Sequence, residues 1–191
     1  MSPGTVGQRK RDSGPAVGCH ETNEPMSEDD HTSEGLKLCI FVDADACPVK
    51  DEVYKVAMRT RVPVVIVANS YMRIPMHPLV RQVAVEMDPD AADNYIAERV
   101  GPMSIVVTAD IPLADRSLKK GATVLAPNGK PFTHDMIGSA MATRSLMQDL
   151  RAGGDQVGGP PPFDKRDRSR FLSSLDEAIG RLRRANPPTA Q

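Results

Sequence analysis

Three short strings in this chain are apolar at almost every position. They are Leu38-Cys39-Ile40-Phe41-Val42, Val62-Pro63-Val64-Val65-Ile66-Val67-Ala68 and Met103-Ser104-Ile105-Val106-Val107. A strand with one solvated face alternates apolar and polar residues. One that is apolar throughout has to be covered on both faces, as in a parallel sheet between layers of helix. Segments with helical spacing separate the strings. Pro48 opens the first, where its fixed φ and missing N–H suit a helix start, and Val49, Val53, Val56 and Ala57 form a stripe through about Thr60. A second helix is predicted from Asp90 to about Val100, stopped by Gly101-Pro102, and a third from Pro112 to Lys120, ending at Gly121. Val80 to Val85 and Ala122 to Ala126 read as further strands, and 69–78, with two prolines, as a loop. The alternation predicts an α/β fold, a three-layer sandwich around a mostly parallel sheet.

Beyond the last strand, Asp135 to about Arg151 is predicted as a longer helix with Met136, Ile137, Ala140, Met147 and Leu150 on its apolar stripe. Phe171, Leu172, Leu175, Ala178, Ile179 and Leu182 define a final amphipathic helix expected to pack back on the domain. Residues 1–35 are rich in Gly, Ser, Pro, Thr and acids and lack periodicity, so they read as a disordered extension. The expected organisation is then an α/β domain over 36–152, a Gly/Pro-rich linker over 153–163, a C-terminal helix over 164–185 and a disordered tail over 186–191. A length of 191 residues with 40% hydrophobic residues suits one domain plus tails. A net charge of -1 gives no bulk sign of a nucleic-acid binder, although Lys165, Arg166, Arg168, Arg170, Arg181, Arg183 and Arg184 crowd one end. Aromatics at 4% provide no extended base-stacking platform. No apolar run approaches a membrane span, and three cysteines without paired spacing favour a reducing, cytoplasmic compartment.

Two of the apolar strings run straight into carboxylates: Val42 into Asp43-Ala44-Asp45, and Val107 through Thr108-Ala109 into Asp110. In open α/β sheets ligands bind beyond the carboxyl ends of the strands, where strand order reverses. The first and fourth strands are natural neighbours at such a reversal, so Asp43 and Asp45 should face Asp110, with Asp90 or Asp93 and Asp115 able to lean into the same space. Two unit charges about 4 Å apart near a surface repel by about 4 kcal/mol. A divalent cation or raised pKa values would relieve that repulsion. Oxygen donors without His or Cys pairing suit Mg²⁺ or Mn²⁺ and not zinc.

Each residue also has an ordinary reading. A single Asp after a strand is more often a turn former or helix cap, and Asp110 before Ile111-Pro112 is well placed as an N-cap. Asp88 and Asp90 suit a helix start, and Asp51 and Glu52 suit a solvated helix face. Cys47, with no general base to place beside it, reads as structural. His77 and His134 read as surface or capping residues. Thr108 either positions water or substrate or is a plain strand residue. The delivery of acids by two separate strands to one edge outweighs these readings taken one at a time.

The strings Val42-Asp43-Ala44-Asp45-Ala46-Cys47-Pro48-Val49-Lys50, Ala92-Asp93-Asn94-Tyr95-Ile96, Val107-Thr108-Ala109-Asp110-Ile111-Pro112-Leu113-Ala114 and Gly158-Gly159-Pro160, with Pro162-Phe163 ahead of Phe171, resemble the YaiI/YqxD family of uncharacterised bacterial proteins. The likeness spans about Leu36 to Leu182. A polar residue such as Gln would be expected where Ala109 stands. The family is similar to PIN-like (Rossmann-like) domains, whose related nucleases gather acids around Mg²⁺ or Mn²⁺. The resemblance implies metal ligation by Asp43, Asp93 and Asp110, with Asp45 and Asp115 as supporting acids. It implies catalysis through Asp43, Asp45 and Asp110, with RNA or another nucleic acid as partner. A nuclease label is a fold-level analogy. Two other functions fit the residues. One is a haloacid-dehalogenase-type phosphatase with Asp43 as nucleophile, Asp45 as acid/base and Thr108 in support, although an early helix at Pro48 leaves little room for its flap. The other is a non-catalytic module binding a nucleotide or protein.

Overall fold

The computed structural model describes residues 37–45, 47–85, 88, 90–139 and 163–187. Five strands form one sheet: β1 (Cys39–Asp43), β2 (Val64–Ala68), β3 (Val80–Ala84), β4 (Ser104–Val107) and β5 (Thr123–Leu125). Four helices are bounded within the described residues: α1 (Lys50–Thr60), α2 (Ala91–Arg99), α3 (Ile111–Lys119) and α4 (Lys165–Ala185). A further helical segment starts at residue 134 and is described to 139. The strand order is β3-β2-β1-β4-β5, and every paired neighbour is parallel. The chain moves outward from β1 through β2 to β3, then returns to lay β4 on the other side of β1. That return is the reversal the alternation of elements predicts, and it puts the carboxyl ends of β1 and β4 side by side.

The strands are covered on both faces. All five residues of β2 and all four of β4 are buried. On one face Ile40, Val42, Ile66, Ile105 and Val107 pack with Val53 and Val56 of α1 and Phe171, Leu175 and Ile179 of α4. On the other, Phe41, Val65, Val67, Val106 and Val124 pack with Ile96, Leu113 and Ile137. Burying a side chain such as Phe171 or Ile40 contributes about 1.5–3 kcal/mol, and both are fully buried.

The first helix begins at Lys50, later than Pro48, because Pro48-Val49 form a turn ahead of it. Helix α4 does pack back on the domain. Asp164 and Asp167 cap it reciprocally, each carboxylate accepting from the other's backbone N–H at 2.9 and 3.2 Å. Arg168 donates twice to Glu52, at 2.9 and 3.0 Å, and Arg59 pairs with Asp176 at 2.8 Å. The Arg183 side chain donates to the Thr60 carbonyl. These partners ascend together along both helices, so α1 and α4 run parallel.

Two expectations are corrected. Glu52 is not on a solvated face: it is 5% exposed and held by Arg168. It lies four residues before Val56, on the stripe that faces α4, and its charge is tolerated there because a guanidinium meets it. Met136 is exposed, while Ile137 next to it is buried. Ala140, Met147 and Leu150, together with the extension over 1–35, residues 153–162 and the end of the tail, lie outside the described residues. No helix among the described residues is long and apolar enough to cross a membrane.

Candidate functional site at the carboxyl edge of the sheet

The site begins with the backbone register. Val42 of β1 sits opposite Val107 of β4, and Asp43 opposite Val67 of β2. The next residues in each chain direction leave the sheet at the same edge. From β1 come Asp43 and Asp45, from β4 come Thr108 and Asp110, and from β2 comes Asn69. The buried Thr108 joins two of these ends. Its hydroxyl donates to Asp43 Oδ2 at 2.9 Å and accepts from the Asp110 backbone N–H at 2.9 Å. Thr108 thus fixes the orientation of the Asp43 carboxylate and the position of Asp110 at once, a use that neither sequence reading of it contained.

Asp110 is the N-cap of α3, its Oδ1 accepting from Leu113 N–H at 2.8 Å. The cap occupies one oxygen. Asp45 is exposed, and its Oδ2 accepts from the Asn69 backbone N–H at 3.3 Å, so the loop after β1 is tied to the end of β2. Lys50, at the start of α1, donates to the Ala44 carbonyl at 2.9 Å and places an ammonium beside the backbone between the two acids. The sequence signal for Asn69 was its place directly after a buried strand next to β1. For Lys50 it was a lone cation one turn beyond two acids.

Asp93 lies in the first turn of α2. Burial pushes the Asp43 carboxyl up, with Asp45 and Asp110 adding to the effect against the Thr108 hydrogen bond. Burial, then Asp110 and Asp43, raise Asp93 to about 6, with Arg116 opposing. Asp43, Asp93 and Asp110 therefore share one electrostatic neighbourhood. Asp115 bonds Lys119 at 2.6 Å, one turn along α3. Asp90 is the residue that caps α2, without a side-chain cap bond. Cys47 is buried and its thiol is pushed up to about 11 by that burial, which makes it a poor nucleophile and agrees with the structural reading.

The raised carboxyls carry a consequence for stability. In the unfolded chain an Asp titrates near 3.9. Between that value and about 6, native Asp93 keeps a proton that the unfolded chain has lost. The contribution to stability is full below about 3.9 and is lost as pH rises through about 6. In chelator, the melting temperature should fall between pH 5 and 7.5, and Asp93→Asn should flatten that slope. Thermal unfolding followed by circular dichroism across this range checks it.

Among the described residues, no group of three or more His, Cys, Asp or Glu side chains stands ready to close on a metal ion. The donor set still suits a hard cation. Mg²⁺ keeps several waters and is commonly bound through one or two carboxylates, not through an all-protein cage. Asp43, held by the Thr108 hydroxyl, and Asp110, held by Thr108 at its backbone N–H and by Leu113 N–H at its carboxylate, are the candidates for such a pair.

A family model described as uncharacterised BCR, YaiI/YqxD family, matches residues 41–181. The UPF0178 protein of Rhodopseudomonas palustris strain CGA009 is 61% identical over 150 residues, covering 78% of this chain and 95% of that protein. The UPF0178 protein of Sphingopyxis alaskensis is 62% identical over 146 residues, covering 76% and 95%. That of Nitrobacter winogradskyi is 60% identical over 146 residues, covering 76% and 93%. No solved structure matches the chain.

Proposed function

This chain belongs to the YaiI/YqxD family, and we propose that it is a metal-dependent hydrolase of phosphodiester bonds, acting on RNA with Mg²⁺ or Mn²⁺. One observation carries the reading. The ends of two adjacent strands each deliver an aspartate at the reversal of strand order; the buried Thr108 hydroxyl holds the Asp43 carboxylate and the Asp110 backbone N–H, and the α3 cap bond to Leu113 N–H orients the Asp110 carboxylate. The order of the sheet and the acids at its carboxyl edge also support the likeness to PIN-like domains.

Asp43 and Asp110 would hold the cation, with Asp93 joining directly or through water. A bound Mg²⁺ or Mn²⁺ supplies a polarised phosphoryl oxygen and a water of lowered pKa. Thr108 keeps the Asp43 carboxylate from rotating by donating its one proton to Oδ2. Asp45 lies on the exposed side, within reach of solvent, and suits proton transfer to or from an attacking water. Lys50 offsets part of the negative charge that an approaching phosphate would meet. The phosphatase reading gains no comparable support. Only Ala44 to Val49 separate β1 from α1, which leaves little room for that enzyme class's flap.

Titration calorimetry with Mn²⁺ tests the proposal. Wild type should bind saturably, and Asp43→Asn should weaken binding at least about tenfold. Cleavage of a labelled RNA should then require the ion. A flat titration with wild type would move the assignment to a non-catalytic module.

A further inference from the structure

The segment between β2 and β3 has no regular secondary structure over 71–77, yet it is held from two sides. Met72 and Ile74 pack against the core. The Gln82 amide, on β3, donates to the Ser70 carbonyl at 2.9 Å and accepts from the Met72 N–H at 3.3 Å. Those two backbone groups flank Tyr71. Exposure alternates over 71–74, with Tyr71 and Arg73 outward and Met72 and Ile74 against the core, the pattern of an extended stretch. Tyr71, Arg73 and Met76 are exposed, and Tyr71 is 90% accessible. A ring left in solvent on a backbone fixed by its own side-chain clamp is an unusual arrangement. Mobile loops carry exposed aromatics at no ordering cost, whereas this one is ordered first and then left uncovered.

The strap starts at Asn69, whose N–H binds Asp45. Tyr71 is two residues further on, within about 7 Å of chain. Residues i and i+2 of extended backbone project to the same side about 6.6 Å apart, so Tyr71 and Arg73 stand as neighbours on the outer face. We infer that this strap is the substrate-holding surface beside the acidic site: Tyr71 stacks an unpaired nucleobase of single-stranded nucleic acid, and Arg73 pairs the adjoining phosphate. The inference rests on the reading above and specifies its substrate as unpaired. Base stacking on an aromatic side chain is tolerant of sequence, so the strap holds a strand without reading it. A single ring of this kind is compatible with a chain poor in aromatics.

Binding of a fluorescein-labelled ten-nucleotide RNA, measured by anisotropy in an Asp43→Asn background with chelator present, separates this inference from the hydrolytic one. Tyr71→Ala should weaken binding about tenfold while leaving its salt dependence unchanged. Tyr71→Phe should bind like the parent. Arg73→Gln should lower the slope of log K against log salt by about 0.7, one phosphate of a single strand. The same sequence in a duplex should bind more weakly than the single strand and should be indifferent to Tyr71→Ala. Unchanged affinity in Tyr71→Ala would overturn the inference and leave the hydrolase reading standing. Tyrosine-dependent binding with no cleavage by wild type in Mn²⁺ would do the reverse. No binding of the single strand at all would remove both.

Discussion

Asp43→Asn and Asp110→Asn are each expected to lower Mn²⁺-dependent cleavage of RNA by about a thousandfold or more. A metal ion supplies several kcal/mol of transition-state stabilisation in phosphoryl chemistry, and each 1.36 kcal/mol is a factor of ten. Asparagine keeps the volume and can still meet the Thr108 hydroxyl, and at position 110 its amide oxygen can still accept from Leu113 N–H, so the fold should persist. The loss is therefore chemical. Asp51→Asn, an exposed acid on α1, should cleave at the parental rate. Single-turnover cleavage with unfolding curves for all four proteins makes the comparison. Parental activity in Asp43→Asn would end the metal-hydrolase reading.

The largest effect on stability is expected at Gly129. This residue has φ +80°, and a Cβ there would lie 2.6 Å from Phe171 N and 2.7 Å from the Arg170 carbonyl carbon. Both neighbours are backbone of α4 and cannot rotate away. The left-handed conformation alone costs an L-residue about 1–2 kcal/mol, and an overlap in a packed region adds about 1–3 kcal/mol. Gly129→Ala should therefore destabilise the protein by roughly 3 kcal/mol, a fall of about 6–12 °C in melting temperature for a domain this size. Gly101→Ala is the matched control, since a Cβ there meets nothing within 4 Å. Equal melting temperatures for the two variants would mean that Gly129 does not lie against the α4 backbone at Arg170 and Phe171.

Much of the architecture was legible because it depends on local pattern. Runs of β-branched and aliphatic residues buried on both faces gave β1, β2 and β4, and the alternation with helices gave a parallel sheet with its reversal beside β1. The sheet proved parallel throughout its paired strands. The N-cap at Asp110 was legible too, since Asp followed by Pro two residues later has few other uses. What escaped were contacts between residues far apart in the chain. Thr108 meets Asp43 across 65 positions, Arg168 meets Glu52 across 116, and Asn69 meets Asp45 across 24. Nothing in the spacing around Glu52 announces a distant guanidinium, so sequence alone places this acid in solvent. Gln82 escaped for the same reason: its amide is spent on a strap ten and twelve residues away.

The dependence of the first helix on the last has a consequence during synthesis. Phe171, Leu175 and Ile179 complete the layer that covers β1 and α1, and they are made after all five strands. About 105 residues separate the end of α1 from the start of α4. At about 5–20 residues per second, the ribosome takes roughly 5–20 s to cross that interval. Until those residues emerge, the apolar side of β1 and α1 that they cover stays open to water.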